Sequence, residues 1–292
     1  MSQLPIILTH GYLGFGTLGP LNYFNNVATV LAQLGAKEVY AADVPPKGSL
    51  ADRSSQLAAQ IRQHVPTGKV HLIAHSMGGL DSRYLISHGN GRELIATLTT
   101  LGSPFRGTFA ADVAADPLKL LQIGATKLLA AILRFEVRGL ALWPFAAPAQ
   151  IHFALGAFRD AVSRLDKGDY SNAAVYFKGL FSLDDAALHE LTTENCLRLF
   201  PADEQDLAGV PSSSYAGALE PAAASPFLSA PAILLDATSQ TNDGLVSIPS
   251  ATLKNHRRTL PVDHLGLIGW GPTDVSDCFR EIYAGLPEIG TA

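Results

Sequence analysis

Residues 71–84 read HLIAHSMGGLDSRY. An apolar run that begins at Val70 meets one serine and two glycines, and a helix-length segment follows at once. A chain can pass from strand to helix this abruptly only through a very sharp turn, with one residue held in a strained backbone conformation. The residues two before and two after that point must be small for strand and helix to approach, and here they are Ala74 and Gly78. This is the G-x-S-x-G strand–turn–helix pattern with Ala in place of the first Gly. It aims the Ser76 hydroxyl off the C-terminal edge of a sheet. It also places the first N–H groups of a helix, and the positive end of its dipole, beside any negative charge that develops there.

The segments around the turn supply the sheet. LPIILT (4–9) reads as a buried strand running into a Gly-rich loop, HGYLGFGTLG (10–19). The spacing of Val27, Val30, Leu31 and Leu34 predicts a helix over 22–34. Next come a strand at 38–44, a helix at 49–65, a strand at 69–74, a helix at 77–88 and a strand at 95–102. Strands and helices that alternate across long connections predict an α/β fold, a mostly parallel sheet with helices on both faces. The strands are near-continuous apolar runs, as a sheet covered on both faces requires. The rhythm breaks at about 109–200, an Ala/Leu-rich helical stretch that reads as an insertion into a single domain spanning 1–292. A helix at 183–201 closes it. Strand-like 213–219, the strand-length apolar run AILLDA (232–237), QTNDGLVSIPS (240–250) and a last helix at 274–283 complete the chain.

Composition removes several functions. The net charge is −5 and no Lys/Arg run occurs, so nucleic acid is not an expected partner. No CxxC pair or Cys/His cluster suggests structural zinc, and Cys196 and Cys278 read as buried thiols. Only 16% of residues are charged against 47% hydrophobic, so some apolar surface is expected to stay exposed. No apolar run has transmembrane length. The N-terminus lacks the features of a cleavable signal, which is the pattern of a mature form, a cytoplasmic protein or one exported without such a signal.

A nucleophilic serine needs an oxyanion hole, a base and an acid. The loop THGYLGFG (9–16) follows the first strand, and its backbone N–H at Tyr12, with that of Met77, is the candidate donor pair. His10 reads as a residue that orients this loop. In a sheet of this kind the partners follow in the order Ser, Asp/Glu, His. Asp243, in an Asn-Asp-Gly turn, is the candidate acid, with Asp236 as its rival. His264 is the candidate base, in the loop PVDHLGL. His256 stands beside Arg257 and Arg258, whose charges disfavour the imidazolium a base must form. Asp263 reads as a surface charge or a loop anchor.

Taken together, LPIILTHGYLGF, VHLIAHSMGGLDSRY, IATLTTLGSPFRGTFAAD, LTTENCLRLFP, NDGLVS and DHLGL make a chain that resembles the bacterial true lipases of the Pseudomonas, Burkholderia and Proteus type. The resemblance covers most of the chain and is weakest at 117–170 and 220–240. It implies an α/β-hydrolase fold and cleavage of acyl esters, acylglycerols among them, through an acyl-enzyme. No cofactor is expected. Carried over by motif, Ser76 is the nucleophile, Asp243 the acid, His264 the base, and Tyr12 and Met77 the oxyanion donors. It further implies a helical lid, here from 117–160, and transient contact with a lipid–water interface; the composition of that segment fits a fixed helical cap equally well. An acyltransferase or a short-chain esterase would use the same residues. One departure stands out. Relatives often bind calcium through an Asp two residues after the histidine, and this chain has Gly266 there, with only Glu220 near the other ligand position. No metal is therefore expected.

Overall fold

The computed structural model describes residues 4–18, 21–116, 119, 127, 186–220, 224–225 and 228–287. The segment expected to form a lid, 117–160, lies almost wholly outside them, as does most of the insertion. Six strands form one sheet: β1 (Ile6–Thr9), β4 (Val39–Ala42), β5 (Val70–His75), β6 (Ile95–Leu101), β7 (Ser212–Gly217) and β8 (His256–Leu260). Their order is β4-β1-β5-β6-β7-β8, and every neighbouring pair is parallel. A two-stranded antiparallel ribbon, β2 (Thr17–Leu18) with β3 (Leu21–Asn22), sits beside it.

Alternate strand residues enter two different apolar layers, because successive side chains leave a strand on opposite faces. Ile7, Leu72 and Ala74 join Leu57 and Ile61 of helix α2 (Leu50–His64) and Leu80 and Ile86 of helix α3 (Met77–His88). On the other face Ile6, Leu8 and Ile73 join Val27 and Leu31 of helix α1 (Val27–Gln33) and Phe279 of the last helix, α10 (Ser276–Ala284). The Ser49 hydroxyl caps α2 by accepting the Asp52 N–H at 3.1 Å. The remaining helices run α4 (Gly91–Leu94), α5 (Phe109–Ala115), α6 (Ala186–Glu190), α7 (Thr193–Leu199), α8 (Ser229–Ala237) and α9 (Ile248–Ala251). None of the described helices is long and apolar enough to cross a membrane. Cys196 and Cys278 are both buried free thiols, and burial pushes each up to about 12.

Three elements differ from the sequence expectation. The helix expected over 22–34 starts only at Val27, since Asn26 has φ 58° and the preceding residues bond to a distant loop instead. Trp270 Nε1 donates to the Tyr23 carbonyl at 2.8 Å, and Asn25 N–H donates to the Ile268 carbonyl at 2.9 Å. The run AILLDA is the end of helix α8, not a strand; a short apolar run buried on all sides has the same pattern in either form. The single helix expected over 183–201 is two short ones, α6 and α7, with Thr192 capping the second through the Asn195 N–H.

Candidate active site

The site lies at the C-terminal ends of the parallel strands, where a sheet of this kind opens its crevice. Ser76 joins β5 to α3 with φ 55° and ψ −129°, a conformation L-residues rarely adopt. The crossing is tight because Gly78 has no side chain. A Cβ there would stand 2.7 Å from the Thr9 carbonyl oxygen and 2.8 Å from that of His10. Met77 is the first residue of α3, and its N–H is one of those a helix cannot satisfy internally.

The loop after β1 lies against the serine, and a Cβ on Gly11 would meet Ser76 Cβ at 2.6 Å. The loop turns back through Gly14 N–H on the Gly11 carbonyl, with Leu13 at φ 55° and Leu13 N–H on the Pro46 carbonyl. Buried Arg53 of α2 holds it from beneath. One guanidinium nitrogen donates to the His10 carbonyl at 2.9 Å, while the group pairs with Asp81 of α3 at 2.7 Å, both side chains fully buried. His10 is buried, and Val44 N–H donates to its Nε2, which leaves the proton on Nδ1 facing the Gly11 carbonyl. Burial lowers His10 to about 4, so its approach to Asp43 is no ion pair at neutral pH.

Asp243 and His264 meet across the sheet end. His264 Nδ1 donates to Asp243 Oδ2 at 2.7 Å, and both residues are buried. The other carboxylate oxygen accepts Leu245 N–H and Val246 N–H, so the Asn-Asp-Gly turn fixes the acid in place. The backbone ties the two loops as well, since His264 N–H donates to the Asp243 carbonyl at 2.7 Å. Gly102, at the end of β6, leaves room for the pair. A Cβ there would lie 3.0 Å from Asp243 Oδ2 and 3.1 Å from His264 Nδ1. The proton on Nδ1 leaves a lone pair on His264 Nε2, an atom that is buried and has no hydrogen-bond partner among the described residues. Ser76 Oγ and His264 Nε2 are thus not hydrogen-bonded to each other here. The rival candidates stand elsewhere. Asp236 lies in α8, and His256 in β8 is turned to the hydroxyls of Ser214 and Thr259.

The residues after His264 do not fit the calcium that the resemblance brings to mind. Gly266 offers no side-chain carboxylate, and a Cβ at that position would stand 2.8 Å from Val262 Cβ. The Asp263 carboxylate is spent on backbone, its Oδ1 accepting Gly266 N–H and its Oδ2 accepting Ser225 N–H. Asp263 is therefore a buried loop anchor, not a surface charge.

Two groups escaped the sequence reading. Arg53 falls three residues after Leu50 and four before Leu57, on the apolar stripe of α2, and that position was the available signal. His75 is the variable residue before the serine, and its partners Tyr23 and His264 are too distant in sequence for any local pattern to link them.

Comparison with known proteins gives a family match and several relatives. The profile of the alpha/beta hydrolase family matches residues 6–277. The chain is 38% identical over 115 residues to a triacylglycerol lipase of Vibrio cholerae, covering 38% of this chain and 36% of that protein. It is 34% identical over 114 residues to a triacylglycerol lipase of Pseudomonas fragi, covering 38% of each. The matched stretches thus span little more than a third of these relatives' lengths. Among solved structures it is similar in fold to the mature form of Bacillus licheniformis lipase BlEst2. The TM-score is 0.62 at 19% identity, covering 97% of this chain and 91% of that one.

Proposed function

Because the chain belongs to the alpha/beta hydrolase family, we propose that it is a serine carboxylester hydrolase acting on acyl esters, acylglycerols among them. The observation that carries this reading is the serine at φ 55° between a strand end and a helix N-terminus, where the ring of the preceding His75 lies 4.5 Å from that of His264, a buried histidine whose tautomer Asp243 fixes. The lipase relatives support the substrate class.

Ser76 is the nucleophile and His264 the base. As Ser76 Oγ bonds to the ester carbonyl carbon, its proton passes to His264 Nε2, and Asp243 stabilises the imidazolium. The Oγ–Nε2 hydrogen bond forms with substrate in place, since such contacts often close only in the complex. The carbonyl oxygen takes the negative charge and faces the N–H groups of Tyr12 and Met77. His264 then gives its proton to the leaving alkoxide as that C–O bond breaks, which leaves an acyl-enzyme and free alcohol. Water attacks the acyl carbon while His264 Nε2 takes its proton. The same proton returns to Ser76 Oγ as the acyl–oxygen bond breaks and the acid departs.

Ser76→Ala should reduce turnover of p-nitrophenyl butyrate by about 10⁴-fold or more with the fold intact. Retained turnover would place the chemistry elsewhere. A series of p-nitrophenyl esters, run below and above each solubility limit, separates a lipase from a soluble esterase. A rate jump above the limit is the lipase outcome, and a smooth preference for short chains is the esterase outcome.

A further inference from the structure

One run of hydrogen bonds joins the two loops on which the proposed chemistry depends. Gly11 N–H lies 3.2 Å from the Tyr23 hydroxyl oxygen, the Tyr23 oxygen lies 2.8 Å from His75 Nδ1, and His75 Nε2 lies 2.9 Å from the His264 carbonyl oxygen. Both ends are backbone atoms whose roles cannot change. Gly11 N–H can only donate, so the Tyr23 oxygen accepts. That oxygen could accept a second bond, but the buried hydroxyl proton of Tyr23 has one acceptor among these partners, His75 Nδ1, and it is satisfied only if Nδ1 is bare. The His75 proton is therefore on Nε2 and is donated to the His264 carbonyl, which can only accept. A single arrangement of protons satisfies every member, and it requires a neutral His75.

The surroundings keep it neutral. Burial comes first and the neighbouring His264 second in lowering His75 well below the ordinary histidine value. Its ring lies 4.5 Å from that of His264, centroid to centroid. A charged His75 would oppose the imidazolium that His264 must become. Tyr23 is held from both sides as well. Its ring packs on Phe15 and Phe24, and its carbonyl accepts the Trp270 indole N–H from the loop that carries His264.

We propose that Tyr23 and His75 are positioning residues, a neutral hydrogen-bonded link that holds the oxyanion loop at Gly11 and the base loop at His264 in one fixed relation. This rests on the reading of Ser76 and His264 as nucleophile and base. The link touches neither substrate nor proton in flight. It sets the distance between the group that stabilises negative charge and the group that moves the proton. Its loss therefore weakens the tetrahedral state more than the bound ester.

The test uses the full chain with Tyr23→Phe, His75→Asn and the double variant, each checked by thermal unfolding. Tyr23→Phe keeps the ring and cuts the Gly11 end. His75→Asn keeps an acceptor for Tyr23 and cuts the His264 end. On p-nitrophenyl butyrate each single variant should lose about 10- to 100-fold in kcat with KM changed less than about threefold. The inhibition constant of an alkyl trifluoromethyl ketone, which forms a tetrahedral adduct, should rise by a matching factor. The double variant should lose no more than the worse single one, because both cut the same link. A Tyr23→Phe enzyme with wild-type kcat would overturn the proposal. So would losses that multiply, or a loss of activity that follows the unfolded fraction. If the wild-type chain neither hydrolyses the ester nor reacts with the ketone, it is the proposed function that fails; an active wild type with unaffected variants rejects the link alone.

Discussion

Single atoms decide the geometry of this site. Two carboxylates lie on adjoining loops and do different work because their partners differ. Asp243 gives one oxygen to His264 and the other to its own turn, whereas Asp263 gives both to backbone N–H groups. Asp243→Asn should therefore lower kcat by about 10⁴-fold with little change in melting temperature, because it removes the acceptor that fixes the His264 tautomer. At position 266 even a methyl group meets Val262. Gly266→Asp should cost about 1–3 kcal/mol in stability by overpacking. Added calcium should not restore the melting temperature, because the neighbouring carboxylate is already taken; a calcium-dependent rise would mean that the loop re-forms around the ion. The sequence displayed these residues unequally. Ser76 was legible because strand, turn and helix are contiguous. Asp243 and His264 were legible from chain order and turn chemistry. Tyr23 and His75 were not, because their bonds span 52 and 189 residues.

The elements carry that geometry by how they cross. Helices α2 and α3 lie side by side under the oxyanion loop, and the buried Arg53–Asp81 pair joins them to each other and to the His10 carbonyl. Removing one member of a buried pair strands the other charge. Asp81→Ala should thus cost about 3–5 kcal/mol in urea unfolding, far more than the loss of an exposed ion pair. Helices α2 and α3 were placed from sequence almost to the residue, α2 by its apolar stripe and the Pro66 and Gly68 just past its end, α3 by following directly on the serine turn. Helix α8 was mistaken for a strand-length run because four consecutive residues, Ala232 to Leu235, are all buried, and such a run carries no period. The segment 22–26 was taken as helix by extending the stripe of Val27, Val30, Leu31 and Leu34 back to Asn22. What unwinds it is tertiary, namely the Trp270 and Ile268 bonds and the left-handed Asn26.

At the scale of the whole molecule the feature to measure is a set of buried, neutral histidines. Burial lowers His10 and His71 to about 4 and lowers His75 well below the ordinary value. Each is therefore uncharged in the folded protein at pH values where the unfolded chain takes up a proton. The stability this gives is fully present above the unfolded value of 6.5 and is lost as pH falls toward about 4. Each proton taken up on unfolding contributes a slope of about 1.4 kcal/mol per pH unit. Melting temperature should decline steeply from pH 6.5 to 4 and more gently in a His71→Asn variant; equal slopes would show that His71 is not a contributor. The parallel sheet explains why all of this converges. Each strand delivers one loop to the same edge, so Ser76, Asp243, His264 and the loop after β1 lie at one end of the sheet although they are scattered along the chain. The central claim is that this edge makes Ser76 a nucleophile, and reaction with a fluorophosphonate followed by peptide mass spectrometry tests it most directly. The expected result is one adduct per chain, on Ser76, absent from heat-unfolded protein and from His264→Ala. An unlabelled native chain, or an adduct on another serine such as Ser103, would contradict it.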